Sequence, residues 1–208
     1  MQQTAFNQQH DVEIISRETV YKSFTQVDVV KLKHRLFAGG ISPLIQRELV
    51  IKPEAIGVLI YDPDLDAVLL IEQFRVGALS HPNPWQLEIV AGLVDGYGES
   101  LEEVAKREVI EEAGVELSRL ETVMTFLLSP GGSNEKFTLF VGQADLSTIT
   151  TGNLHGLPEE GEDIRVNVLA AEQAIALLKQ DILFNAPLLI ALQWLALNKK
   201  DLQTRWQN

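Results

Sequence analysis

The chain has 208 residues, 46% of them hydrophobic, enough to bury a sizeable core in one domain with or without a smaller extension. Its net charge of −12 repels phosphate backbones and anionic lipid, which argues against nucleic acid and membrane surfaces as partners. The absence of cysteine excludes disulfides, thiolate nucleophiles and Cys-type zinc sites, and suits a reducing, cytoplasmic setting.

The opening MQQTAFNQQH has no basic stretch leading into an apolar run, so no signal peptide is expected. Residues 11–22 (DVEIISRETVYK) and 24–37 (FTQVDVVKLKHRLF) alternate in part with a period of two and predict strands, with a further short strand over 45–51. AIGVLIY (55–61) and AVLLIEQF (67–74) are apolar runs joined by Asp62-Pro63-Asp64, which carries turn chemistry, so they predict a hairpin. LEIVA (87–91) predicts one more short strand, leading into the glycine-rich AGLVDGYGES (91–100). A helix follows over 101–113. TVMTFLLS (122–129) and KFTLFVGQ (136–143) predict strands flanking a PGGSN turn, and IRVNVL (164–169) predicts a late strand. Helices are expected over 171–179 and 186–198. The longest apolar stretch, ALLKQDILFNAPLLIALQWLAL, is broken by charge and by Pro187, so no segment is expected to span a membrane. Many strands, one helix, more strands and then helices imply an α+β plan with a mixed sheet. A boundary near residue 50 separates a strand-rich part, 1–50, from the remainder, 51–208.

ESLEEVAKREVIEEAGV (99–115) carries the chemistry. Ser100 with Glu103 fits a capping box, and Gly114 suits the position just past a helix. On a helical wheel Leu101, Val104 and Ala105 share the core-facing arc, while Glu102, Glu103 and Lys106 lie opposite. Glu108, Glu111 and Glu112 fall on or beside the apolar arc, so the stripe begins apolar and ends acidic. Carboxylates at this spacing repel one another, and the dipole disfavours them in the last turns. Two readings stand: a solvated face, which is what such pairs on a helix ordinarily are, or a hard-oxygen site for a divalent cation such as Mg²⁺ or Mn²⁺.

Glu99, seven intervening residues, and then REVIEEAGV (107–115) closely resemble the Nudix hydrolase box, G-x5-E-x7-R-E-U-x-E-E-x-G-U with U aliphatic. Every fixed position from Glu99 onward matches. The opening departs: Leu93 stands where the box has glycine, and Gly92 lies one residue earlier, so the chain reads G-x6-E. A one-residue insertion is expected to bulge over 95–98 and to leave Ala91 and Glu108 in place. Pro130, sixteen residues after Gly114, and SPGGSNE (129–135) resemble the ADP-ribose-cleaving subgroup, as do EQFR (72–75), GLPEEGEDIRV (156–166) and IALQWLAL (190–197).

The resemblance implies an α/β/α sandwich around a mixed sheet, with an N-terminal strand-rich extension. It implies Mg²⁺, with Mn²⁺ as a substitute, held by Glu108, Glu112 and the Ala91 carbonyl, with Glu99 and Glu111 completing the acidic cluster. Arg107 would orient a box glutamate through a bidentate bond. Glu160 is expected to be the base, with Glu162 as a metal-linked or supporting carboxylate. Arg75 would contact the pyrophosphate, Glu135 the terminal ribose, and Phe24 with Arg47 the adenine. The implied partners are a nucleotide diphosphate sugar and a second copy of the chain exchanging N-terminal strands.

Blander expectations accompany these. His10, His34, His81 and His155 are scattered without HExxH spacing and read as surface or structural residues. Trp85 reads as core packing and 190–197 as an amphipathic core helix. Three activities follow: cleavage of ADP-ribose to AMP and ribose 5-phosphate, cleavage of another nucleotide sugar such as GDP-mannose, or nucleotide sensing without catalysis. Sensing modules typically lose box glutamates, and all are present here.

Overall fold

A computed structural model describes residues 6–94, 98–180 and 185–207, except for the side chain of Glu160. The chain divides into two compact units, Met1–Pro53 with Leu127–Lys136, and Glu54–Phe126 with Phe137–Asn208.

In the first unit a single-turn helix α1 (Gln8–Asp11), capped by the Asn7 side chain, leads into an antiparallel sheet of order β1-β2-β3. Its strands are β1 (Val12–Lys22), β2 (Gln26–His34) and β3 (Ile45–Ile51). The buried Asp28 fixes the β1–β2 register, accepting hydrogen bonds from Arg17, Thr19 and Gln26. β1 is an outer strand, and Ile14, Ile15, Val20 and Tyr21 on it are exposed. The PGGSN turn lies along β3: the Val50 N–H donates to the Gly132 carbonyl and the Asn134 N–H to the Val50 carbonyl.

The second unit is built on an eight-stranded mixed sheet. β4 (Ala55–Asp62) and β5 (Ala67–Phe74) form the expected hairpin, with the buried Asp62 carboxylate accepting the Asp64 and Leu65 N–H groups of the turn. The two strands pair only near the turn, from Ile60–Leu69 to Asp62–Ala67, and then part. The predicted LEIVA strand enters that fork and is split by it. β6 (Trp85–Glu88) pairs with β5, β7 (Val90–Leu93) pairs with β4, and Ile89 is the crossover between partners. β9 (Lys136–Gln143) runs parallel to β4, with β8 (Arg119–Leu127) beyond it. On the other side β11 (Ile164–Ala170) pairs with β5, and the two-residue β10 (Leu154–His155) closes that edge.

Both faces of this sheet are covered, as a sandwich requires. Ile56, Val58 and Ile60 of β4 join one core with Val104, Ala105 and Val109 of helix α2 (Leu101–Ala113). On the opposite face Tyr61 meets Trp206 at the end of helix α4 (Ala186–Trp206). That helix runs eight residues beyond the predicted end at 198, because Leu202 and Trp206 continue the buried stripe of Leu188, Leu192 and Leu195. The predicted helix over 171–179 is an α-helix, α3 (Ala171–Ala176), tightened into a 3₁₀ turn at Leu177–Lys179.

Trp85 is not in the core. It is 52% exposed and meets Phe74 edge-on, with ring centroids 5.6 Å apart. The reason lies in the alternation of β6, whose buried face carries Gln86 and Glu88 instead. Among the described residues no helix is long and apolar enough to cross a membrane.

Candidate active site

α2 begins with the expected capping box: the Ser100 hydroxyl accepts the Glu103 N–H, and the Glu103 carboxylate accepts the Ser100 N–H at 2.7 Å. It ends at Gly114, in the left-handed region at φ 67°, whose N–H bonds the Ile110 carbonyl. Its apolar stripe faces the core and turns acidic at the last turn, as the helical wheel requires. Glu112 is 2% exposed, and the Glu108 side chain 13%.

The two buried carboxylates meet the glycine-bearing strand. The Ala91 N–H donates to Glu112 Oε2 at 3.0 Å. Gly92 lies so close to Glu108 that a Cβ there would overlap the Glu108 carboxyl. The glycine role of the box therefore stays with Gly92, and Leu93 does not replace it. Residues 95–97, where the extra residue was expected to bulge, are outside the described residues; Gly98, which closes that stretch, has φ 85°.

Arg107 bridges the acidic cluster rather than gripping one glutamate. One terminal nitrogen donates to Glu108 at 2.8 Å and to Glu111 at 3.1 Å, and Nε stands 3.6 Å from Glu99. A single guanidinium thus serves three carboxylates, and the surplus negative charge stays in the site. Burial pushes the Glu108 carboxyl up to about 7 against the pull of Arg107, with Glu111 and Glu162 adding to the rise. Burial pushes Glu112 up to about 8 despite the Ala91 hydrogen bond, with Glu108 and Glu162 again raising it.

The donor set fits a hard divalent cation. It offers two buried carboxylates beside a strand backbone, in a protein whose net charge is −12. Among the described residues no group of three or more acidic or histidine side chains is placed to hold a metal ion by itself.

Arg75 lies within electrostatic reach of the same carboxylates, Glu112 and Glu162. Burial works against its charge, and Glu88 outweighs that: Nη2 stands 2.6 Å and Nε 3.0 Å from Glu88 Oε2. Glu88, Gln73 and Gln86 are buried polar residues that the sequence reading missed. Polar residues on the inward positions of β5 and β6 were the available signal. Glu162 sits on the loop before β11, where its carboxylate accepts the Leu157 N–H at 3.0 Å. The Glu160 backbone belongs to a 3₁₀ turn, Pro158–Glu160, and its side chain is outside the described residues.

Phe24, Arg47 and Glu135 lie on the first unit. Phe24 is 79% exposed, with the Lys52 ammonium 5.3 Å from its ring centroid. Arg47 on β3 is exposed, and the Glu135 N–H donates to the Ser133 hydroxyl.

Comparison with known proteins bears on this geometry. The NUDIX domain family matches residues 51–192. The chain belongs to the NUDIX family. Enzymes of this family generally use divalent metal ions. The chain is 44% identical over 198 residues to the ADP-ribose pyrophosphatase of Escherichia coli, covering 95% of this chain and 93% of that one. The ADP-ribose pyrophosphatase of Haemophilus influenzae is 43% identical over 203 residues, covering 96% and 92%. The GDP-mannose pyrophosphatase of Pectobacterium atrosepticum is 33% identical over 142 residues, covering 67% and 70%. The crystal structure of an ADP compounds hydrolase superposes with a TM-score of 0.65 at 23% identity, over 90% of this chain and 95% of that one, which places the two in one fold.

Proposed function

We propose that this NUDIX chain hydrolyses the pyrophosphate bond of ADP-ribose to AMP and ribose 5-phosphate, using Mg²⁺ or, as a substitute, Mn²⁺. The observation that carries this is the pair of buried carboxylates, Glu108 and Glu112, seated against Ala91 and Gly92. The substrate choice rests on near-full-length similarity to ADP-ribose pyrophosphatases, against shorter and weaker similarity to GDP-mannose pyrophosphatases.

Glu108, Glu112 and the Ala91 carbonyl would hold the cation, with Glu99 and Glu111 filling out the cluster. When bound, it supplies charge stabilisation to the pyrophosphate oxygens. Arg107 keeps Glu108 and Glu111 aimed inward through its shared hydrogen bonds. Arg75 offers a guanidinium to the pyrophosphate while Glu88 holds its other edge. Glu160 takes the proton of the attacking water, and Glu162 supports it from the same loop. Phe24 and Arg47 are the candidates for the adenine, and Glu135 for the terminal ribose. A second copy of the chain would exchange N-terminal strands to form a homodimer, a reading supported by the exposed outer strand β1. The acidic charge argues against nucleic-acid and anionic-membrane partners, and the lack of cysteine suits a cytoplasmic enzyme.

The test is a substrate panel. Purified protein with Mg²⁺ is offered ADP-ribose, NAD⁺, GDP-mannose and diadenosine polyphosphates, and phosphomonoester release is followed. Preferred turnover of ADP-ribose supports the proposal, and preferred turnover of GDP-mannose replaces it with the other nucleotide-sugar reading. Comparing Glu160→Gln with Glu162→Gln tests the base, since equal and mild losses would remove Glu160 from that role.

A further inference from the structure

We propose that His155 is a positioning residue that sets the loop carrying Glu162 against the end of the carboxylate helix. The inference rests on the reading of that loop as catalytic. Gly114 ends α2 at φ 67°, a conformation asparagine also tolerates. Backbone conformation alone therefore does not demand glycine here. The space does: a Cβ on Gly114 would overlap Cε1 of the His155 ring and lie 3.0 Å from its Nδ1.

His155 is the second residue of β10, paired with Ile164 of β11. The next residue continues the contact, since the Gly156 N–H donates to the Glu111 carbonyl at 3.2 Å. That carbonyl belongs to the last turn of α2, where helix carbonyls lack intrahelical partners. Beyond Gly156 the loop closes on itself. The Glu162 N–H donates to the Leu157 carbonyl at 3.2 Å, and the Leu157 N–H donates to Glu162 Oε2 at 3.0 Å. Gly156 has φ 98°, and a Cβ there would press on Glu162 Cβ at 2.8 Å. A continuous run of contacts thus joins Gly114, His155, Gly156 and Glu162, and the Glu162 charge is felt at both Glu108 and Glu112. A ring stopped against a glycine fixes the distance between helix and loop more sharply than a hydrogen bond alone, because van der Waals repulsion is steep. Carboxylates on separate elements need such a stop, since a misplacement of about 1 Å costs roughly 100-fold in rate.

The experiment compares His155→Ala and His155→Phe, each alone and combined with Glu162→Gln. It measures kcat and KM for ADP-ribose, Mn²⁺ affinity by electron spin resonance, and amide hydrogen exchange of the metal-free protein. For His155→Ala, kcat should fall about tenfold or more while KM and Mn²⁺ affinity stay within about twofold. Amides of Leu157 and Glu162 should exchange about tenfold faster, with those of 108–112 unchanged. His155→Phe, which keeps a flat ring, should recover most of both effects. With Glu162→Gln in place, His155→Ala should lower kcat by clearly less than it does in the wild type, because the part of the effect that passes through Glu162 is already lost. Should His155→Ala not fold, His155→Gln removes the ring while keeping bulk, and the same direction is expected. Unchanged exchange at Leu157 and Glu162, or an equal kcat loss in both backgrounds, overturns the proposal. A wild-type protein inert toward ADP-ribose overturns the substrate reading instead, and the exchange comparison then decides the role of His155.

Discussion

The Glu112 carboxylate accepts a hydrogen bond from the Ala91 amide at 3.0 Å. This contact joins the last turn of α2 to the strand that begins the box, and it explains how a carboxylate only 2% exposed is tolerated there. Glu112→Gln keeps an oxygen for the Ala91 N–H but removes the charge. Turnover of ADP-ribose should fall by about 100-fold or more, as for other losses of transition-state charge stabilisation. Above about pH 8, where the wild-type carboxylate is ionised, the metal-free variant should melt no lower than wild type, because a buried uncompensated charge has been removed. Full activity in Glu112→Gln would refute the cation-holding helix.

Stability should depend on pH in a direction set by the same two groups. The folded-state values of Glu108 and Glu112, about 7 and about 8, lie above the ordinary carboxylate value of 4.5. A folded state that holds more protons than the unfolded state loses stability as pH rises. Their contribution is therefore fully present below 4.5 and is lost as pH climbs through about 7 and about 8. Carboxylates with lowered values, such as Asp28 and Glu121, act in the opposite direction and only at acid pH. Melting of metal-free protein followed from pH 5.5 to pH 8.5 should show a falling midpoint. Added Mg²⁺ should raise the midpoint more at the alkaline end, where it replaces protons. A flat profile, or one equally steep in Glu112→Gln, counts against the assigned shifts.

Close approach makes a third prediction. Gly92→Ala would drive a methyl group into the Glu108 carboxyl, with the β4–β7 pairing holding the strand in place. Glu108 must then leave its position. Activity should drop severely, with a stability loss of about 1–3 kcal/mol as for overpacked sites. Leu93→Ala, one residue on and 37% exposed, should be far milder. Comparable losses from the two would return the glycine role of the box to an open question.

The parts legible in the sequence are those with a strict local period or an end signal. α2 could be placed to the residue because Ser100, Glu103 and Gly114 mark both ends and its stripe is regular. Glu108 and Glu112 followed from the same wheel. The split between β6 and β7 was not legible, because it depends on β4 and β5 parting, a consequence of pairing rather than of LEIVA itself. The end of α4 was not legible either, because Asn198 and the two lysines after it carry the chemistry of a helix C-terminus. Lys199 instead pairs with Asp66 and Glu172, and the buried stripe resumes at Leu202. Trp85 was misplaced because burial of Trp is the usual rule, whereas the inward positions of β6 belong to Gln86 and Glu88. Those buried polar positions invert the usual hydrophobic pattern of a strand, and Glu88 among them is the partner of Arg75.

Glu88 carries the last prediction. It holds Arg75 through Nε and Nη2, at 2.6–3.2 Å, from a position 7% exposed. Arg75 keeps 44% of its side chain exposed, so its freed guanidinium can rehydrate if Glu88 is neutralised. Glu88→Gln should therefore cost only about 1 kcal/mol of stability. Its kinetic effect should be larger, because a guanidinium no longer held in one plane loses alignment with the pyrophosphate. KM for ADP-ribose should rise several-fold with a smaller change in kcat, the pattern expected when ground-state binding is weakened. Arg75→Ala should show the same pattern, more strongly. Combining the two should add little to Arg75→Ala alone, since Glu88 acts through Arg75. Steady-state kinetics of the two single variants and the double variant decide it: additive losses would mean that Glu88 serves the site by another route.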